Sequence, residues 1–174
     1  MPNDLPLDEF DATLAAQSRK RLPTIDDLKR SAVAKGINPA FASAIFSQES
    51  GGDWDSASSP KGAVGGMQVM PGTFRAMMGD KGDPKDPWDN MEAGLRYVQY
   101  GQKKLGTDDP QLLAAGYHQG YDRPELQSGE IADTNDGLIS TRDYARKIAA
   151  RMGIRLDADG NQNPSQKLLK SWAD

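Results

Sequence analysis

The stretch AIFSQESGGDW, residues 44–54, places a carboxylate where an apolar residue is due. Ala42, Ile45, Phe46 and Glu49 stand at i, i+3, i+4 and i+7, so Glu49 projects from the face that buries the helix. A carboxylate held there loses solvation and its pKa rises; about 2 units correspond to roughly 2.7 kcal/mol in favour of the neutral acid. Such a group keeps its proton near neutral pH, which is what a general acid requires. The plainer alternative is a glutamate that caps or pairs at a helix end, satisfied by an arginine or a loop amide.

The surroundings favour chemistry. Gly51-Gly52 come at once after it, and in SPKGAVGGMQVMPGT, residues 59–73, the glycines let backbone approach a ligand while Gln68 offers a donor and an acceptor. Asp53 and Asp55 are the nearest other carboxylates along the chain, but they sit among turn formers and read as exposed turn residues. His118 is the single histidine; beside Tyr117 it reads either as a binding residue or as a surface or core histidine. There is no cysteine, which excludes disulfides and thiolate zinc sites. DADGNQN, residues 157–163, alternates oxygen ligands, yet Gly160 is misplaced for a calcium loop and Leu168 stands where its bidentate Glu belongs. No metal and no cofactor are expected.

The elements that must position these residues are mainly helices. Thr24 with Asp27 forms an N-cap pattern for a helix through Lys35, with Ile25, Leu28, Ala32 and Val33 as its apolar stripe and Gly36 as its stop. Asn38-Pro39 starts the helix that carries Glu49 and runs to about Ser50. Pro71 opens another toward Met78; Met91, Leu95, Val98 and Leu105 mark a long one stopped by Gly106; Asp109-Pro110 opens one toward Tyr117. Thr141 to Met152 is a helix stopped by Gly153, Pro164 to Trp172 a last short one, and residues 8–21 a weak candidate. Between them, residues 118–140 read as a long polar loop, and any strand is confined to residues 53–68. The pattern is α+β, predominantly α-helical.

Composition bounds the partners. The chain has 174 residues, 21 basic and 25 acidic, with scattered basic pairs, so no electrostatic footprint for nucleic acid exists. No stretch approaches the ~20 apolar residues of a membrane span, and the acidic, proline-broken start MPNDLPLDEFDATL is unlike a secretory signal.

ESGGDWDSASSPKGAVGGMQVMPGTF, residues 49–74, resembles the signature of the lytic transglycosylase family with the soluble-transglycosylase, goose-lysozyme-like domain. The shared order is Glu-Ser, then Ser-Pro-x-Gly-Ala, Gly-x-Met-Gln and Met-Pro-x-Thr. AAGYHQG, 114–120, occupies the place of that family's Ala-Tyr-Asn-Ala-Gly element, and TRDYARKI, 141–148, is similar to its later Thr-Arg-x-Tyr element. The matches span about residues 25–152, which divides the chain into an arm (1–23), a lysozyme-like domain (24–153) with a small irregular or β element after the helix of Glu49, and an extension (154–174).

The resemblance implies that Glu49 is the sole catalytic acid/base, that Ser59 positions the acetamido group or attacking hydroxyl, and that Gln68 and the backbone at Met67 line the glycan groove. It also implies that Tyr117 hydrogen-bonds near the catalytic carboxyl and that Tyr144 forms part of the sugar-binding wall, while a substrate-binding role for His118 rests on its position beside Tyr117. Two departures stand out. His118-Gln119 replace Asn and a small residue, which alters the polar contacts there; Gly66 replaces a leucine, which implies looser packing and a wider cleft. The implied substrate is peptidoglycan, cut between N-acetylmuramic acid and N-acetylglucosamine with a 1,6-anhydro product. Two alternatives are a goose-type lysozyme hydrolysing the same bond with Asp53 or Asp55 orienting water, and a non-catalytic wall-docking module of a phage particle or secretion apparatus. Within the family analogy, the absent signal points to delivery into the periplasm or cell wall by such a particle or apparatus.

Overall fold

The computed structural model describes residues 21–134 and 137–161. Among these, seven helices succeed one another: α1 (Ile25–Ala34), α2 (Pro39–Ser50), α3 (Pro71–Met78), α4 (Pro87–Leu105), α5 (Pro110–Gln119), α6 (Pro124–Gln127) and α7 (Thr141–Arg151). The β content is slight: an antiparallel bridge pairs Val64, inside the segment expected to hold any strand, with Val69, one residue beyond it. The helices expected at 8–21 and 164–172 fall on residues outside the described ones, apart from Arg21.

Helix boundaries obey local chemistry. Thr24 and Asp27 form a reciprocal capping box at the start of α1, each side chain taking the other's backbone N–H. Asn38 Oδ1 accepts from Ala40 N at 2.9 Å, Pro39 occupies the first helical position, and Gly51 ends α2 at φ 68°, where a side chain would be strained. Asp86 and Asp109 cap α4 and α5 in the same way, each with proline next in the chain.

The stripe of α1 is narrower than its sequence suggests. Leu28 and Ala32 are buried, but Ile25 is 43% and Val33 61% exposed. Only the face that meets α2 and α4 is covered, and Ile37 from the connecting turn joins the core beside it. Around α2 pack α1 on one side and α7 on another, while α4 meets α3, α5 and α1. Leu28, Phe41, Ile45, Leu95, Val98 and Ile148 are buried in the shared core, each contributing about 1.5–3 kcal/mol by leaving water.

The long polar loop expected over residues 118–140 is corrected by the structure. His118 and Gln119 complete α5, and α6 interrupts the remainder of that segment. Tyr121 is 1% exposed, donates its hydroxyl to Leu113 O at 2.9 Å, and lies where a Cβ on Gly101 or Gly116 would fall 2.2 or 2.1 Å from its ring. Two glycines on neighbouring helices thus make room for one aromatic ring, and Leu126 is buried nearby in sequence on α6. At the other end, Trp88 Nε1 donates to Arg21 O at 2.7 Å, and Gln111 Nε2 donates to Gly160 O at 2.8 Å, so short segments on either side of 24–153 rest on the helices. No described helix is long and apolar enough to cross a membrane.

Candidate active site

Glu49 occupies the last turn of α2, one residue before its end. Ala42, Ile45 and Phe46 beneath it are buried, and Glu49 itself is half-buried, so the carboxylate stands where the apolar face meets the surface. Ser50 Oγ, bonded to Phe46 O at 3.1 Å, accepts from Asp53 N at 3.2 Å, and the Phe46 and Trp54 rings stack with centroids 4.0 Å apart, which turns the chain sharply away from Glu49. Arg151 of α7 reaches back to Ser47 Oγ at 2.9 Å and Gln48 Oε1 at 3.2 Å, tying the same turn to a second helix.

One donor to Glu49 is Tyr144, 95 residues away in sequence: its hydroxyl donates to Glu49 Oε1. Tyr144 lies in the first turns of α7, which packs on α2, and is 3% exposed. Its phenol is pushed well above the ordinary tyrosine range, first by burial, then by the negative charge of Glu49 and the hydrogen bond to it. It therefore stays a neutral donor throughout the working pH range. A donor to the ionised form favours the carboxylate, while partial burial favours the acid. The placement differs from the expectation on the groove wall: a ring this buried acts on Glu49.

Tyr117 is the second tyrosine of this region. Its hydroxyl donates to Met67 O at 2.7 Å, and burial together with the charge of Glu49 raises its pKa well above the usual value, so Tyr117 lies within electrostatic reach of Glu49. Met67 is fully buried and pinned from both sides, since its N–H donates to Asn90 Oδ1 at 2.8 Å. Asn90 is also fully buried, and its Nδ2 donates to Val64 O at 2.8 Å and Pro84 O at 3.1 Å. Sequence reasoning misses Asn90. Its signal is the one that marks Glu49, a polar residue beside Met91 on the buried stripe of a helix.

Around this anchor the loop of residues 64–69 turns tightly. Gln68 has φ 47°, unusual for a residue with a side chain, and its Nε2 donates to Gly65 O at 2.8 Å and Ala57 O at 3.3 Å. The donor expected to face a ligand thus holds the loop in place. Ser59 likewise accepts from Ala63 N at 3.0 Å through its Oγ, closing the turn of residues 59–63. Gly66 corrects the expectation of looser packing: a Cβ there would fall 2.6 Å from the Trp54 ring and 2.7 Å from Phe46. Two aromatic rings fill the space a leucine would need. Asp53 and Asp55 are exposed, with Asp53 Oδ1 accepting from Asp55 N at 2.9 Å in the turn after α2.

Gln68, Tyr117 and His118 come together in a cleft of ≈ 270 Å³, with Tyr97 and Gln119 also in its wall. The His118 ring stacks on Tyr144 at 4.6 Å and 26°, and its Nδ1 is 3.0 Å from Thr141 Oγ1. A larger cavity, ≈ 560 Å³, is lined by Arg142, Arg146 and Gln111 near the start of α5 and holds none of the expected site residues. Among the described residues, no group of three or more His, Cys, Asp or Glu is arranged to hold a metal. At the calcium-like stretch, Asp157 Oδ1 instead accepts from Asp159 N at 3.0 Å and Asn161 N at 2.8 Å, an Asp-initiated turn.

Comparison with known proteins matches these elements to one family. The model of the transglycosylase SLT domain matches residues 28–133, a span that includes Glu49, the 64–69 loop and Gln119 and ends before Tyr144. The soluble lytic murein transglycosylase of Escherichia coli K12 is 30% identical over an alignment covering 72% of this chain and 22% of that protein. The enzyme of the same name from Salmonella typhimurium LT2 is 29% identical, over 67% and 20%. Among solved structures, the 70 kDa soluble lytic transglycosylase of Escherichia coli superposes with a TM-score of 0.58 at 28% identity, covering 72% of this chain and 22% of that one. An inactive variant of lytic transglycosylase Slt from Pseudomonas aeruginosa gives the same TM-score and coverage at 23% identity, a likeness of fold. The chain spans about a fifth of the length of these relatives.

Proposed function

Because the chain belongs to the transglycosylase SLT domain family, we propose that it is a peptidoglycan lytic transglycosylase with Glu49 as its single general acid/base. The observation that carries this reading is the grip of Tyr144 on a half-buried Glu49 at the end of α2. Partial burial favours the protonated carboxyl that must deliver a proton, and the tyrosine hydroxyl favours the carboxylate left behind.

In the reaction, protonated Glu49 gives its proton to the glycosidic oxygen between N-acetylmuramic acid and N-acetylglucosamine, and the C1–O bond breaks. The substrate's 2-acetamido group stabilises the oxocarbenium-like centre. The C6 hydroxyl of the same muramic residue then attacks C1, and Glu49, now a carboxylate, takes its proton. A 1,6-anhydro ring forms, no water is consumed, and Glu49 ends as it began. A nucleophile already on the sugar removes the need for a second protein carboxylate, and tethering it gives the entropic advantage of an intramolecular step. Asp53 and Asp55, exposed in their own turn, support this route over one with a carboxylate-bound water.

Digestion of purified peptidoglycan and mass analysis of the fragments test the reading. Fragments one water lighter than hydrolysed ones are expected; reducing muramic ends would make the protein a lysozyme, and intact peptidoglycan a docking module. Glu49→Gln is expected to lower the rate by at least ~10²-fold, the scale of a lost general acid. A folded Glu49→Gln protein with near-native activity would overturn the assignment. Action on this substrate places the protein in the periplasm or cell wall. Carriage by a phage particle or secretion apparatus belongs to the same proposal, and mass spectrometry of purified particles tests it.

A further inference from the structure

Gln119 is a residue the family pattern does not call for, since a small residue usually stands there. It closes α5, is half-buried, and lines the same cleft as Gln68, Tyr97 and Tyr117. Its amide is held by a relay of hydroxyls. Thr134 Oγ1 donates to Gln119 Oε1 at 2.7 Å, and Thr134 Oγ1 lies 2.8 Å from Thr141 Oγ1. Because Thr134 has one hydroxyl hydrogen and gives it to Gln119, Thr141 must donate to Thr134. Thr141 in turn must accept from His118 Nδ1, 3.0 Å away. The relay runs in one direction, and it is stiff: Thr141 is fully buried and its N–H also donates to Thr134 O at 2.7 Å.

Fixing Oε1 on Thr134 directs Nε2 the other way. That nitrogen is buried and has no hydrogen-bond partner among the described residues. A buried donor left without an acceptor costs about 1–3 kcal/mol, so a partner is expected to arrive from the cleft. The partner must be an acceptor, because the relay leaves only N–H on that side. It is also compact and without a full negative charge, because Tyr97, Tyr117 and Val69 line the cleft beside His118 and no lysine or arginine does.

We infer that Gln119 is a specificity-determining residue whose Nε2 donates to the carbonyl oxygen of an N-acetyl group on a sugar bound in the cleft. This rests on the peptidoglycan reading above, and it adds to it a contact the family pattern lacks. The acetamido group suits the site: its carbonyl meets the orphaned donor, and its methyl lies against aromatic and aliphatic wall. The nitrogen is buried while its residue lines the cleft, so the sugar reaches it with a side-chain adjustment of the size common on binding.

The test measures binding in the Glu49→Gln background, where the glycan is not cut. Peptide-free glycan strands are compared with the same strands chemically de-N-acetylated, by titration calorimetry. Glu49→Gln is expected to prefer the acetylated strand about tenfold, the scale of one hydrogen bond. Adding Gln119→Ala is expected to abolish that preference. Adding Gln119→Glu, which can still accept from Thr134 but presents oxygen to the cleft, is expected to invert it toward the free amine. A merely structural role would lower affinity for both strands and leave their ratio unchanged, and that result overturns the inference while the peptidoglycan reading stands. Binding of neither strand by the folded Glu49→Gln protein would remove both.

Discussion

Tyr144→Phe removes one hydroxyl and leaves the ring that stacks on His118. The hydroxyl's partner is Glu49 Oε1, and a donor to a carboxylate favours its charged form. A hydrogen bond to a charged group is worth about 1.5–3 kcal/mol, which corresponds to roughly 1–2 pKa units. Losing a donor to the carboxylate raises the Glu49 pKa, so the protonated, active acid persists to higher pH. The alkaline limb of the kcat/KM profile on peptidoglycan is therefore expected to move up by roughly 1–2 units in Tyr144→Phe. On the plateau the rate is expected to fall by about tenfold or more, because the carboxylate that forms as the bond breaks has lost its stabiliser. Turbidity clearing across pH, with a thermal melt at each point to confirm folding, reads both effects. An alkaline limb that stays in place, with a plateau within twofold of the parent, would refute the assignment of Tyr144 as the residue that tunes Glu49.

Two further perturbations address the scaffold. Gly66→Ala is expected to destabilise by about 1–3 kcal/mol in chemical denaturation, because its Cβ would enter the space of Trp54 and Phe46; unchanged stability would restore the idea of slack at this position. Asp27 is held well below the usual carboxylate range, chiefly by the hydrogen bond from Arg21 and also by those from Thr24, so its contribution is present above the unfolded pKa of about 4 and is lost as pH falls through the folded value. Asp27→Asn is expected to be less stable by about 1–2 kcal/mol at pH 7, with the gap closing progressively below pH ~4; a gap that stays constant down to pH ~2 would show that Asp27 acts by packing alone.

What the sequence discloses here is what is encoded within a few residues. The cap pairs Thr24 with Asp27, Asn38 with Pro39 and Asp109 with Pro110 mark their helices because capping is settled by a side chain and a backbone group three positions away or less. Glu49 on a buried face is visible for the same reason, and Gly51 and Gly106, both left-handed, are visible as stops. What stays hidden depends on which distant element lands where. Ile25 and Val33 look like core on a helical wheel, but the wheel does not know that α2 and α4 cover only the Leu28–Ala32 side. Tyr121 sits in a polar run, and its burial requires Gly101 and Gly116 to face one another across α4 and α5. Gly66 reads as an empty position because nothing nearby in sequence announces that Phe46, twenty residues earlier, stacks with Trp54 over that backbone. The contact of Tyr144 with Glu49 has the same origin: the tyrosine is visible in the sequence, but the packing of α7 on α2 brings it to the carboxyl.

An acid that must become a base within one turnover is badly served by an environment that strongly favours either state. A fully buried, unpaired carboxyl would hold its proton and resist giving it up; an exposed one would lose it before substrate arrived. In the proposed reaction both influences act on Glu49: its position in α2 takes it partly out of water, and Tyr144 on α7 donates to it. The proposed reaction also requires the glycosidic oxygen to be held at a fixed distance from it, and the constraints on the loop of residues 64–69 would serve that. Met67 is pinned through its N–H by Asn90 and through its carbonyl by Tyr117, Gln68 is locked in a left-handed turn by its own amide, and Gly66 lets two rings press the loop against the end of α2. A groove wall so constrained loses little freedom when a sugar binds, so binding energy can go to orienting the glycan. In the proposed reaction this matters more than usual, since the nucleophile belongs to the substrate. Without a protein carboxylate to receive C1, the protein's means of accelerating ring closure are where it holds the sugar and how evenly it poises Glu49.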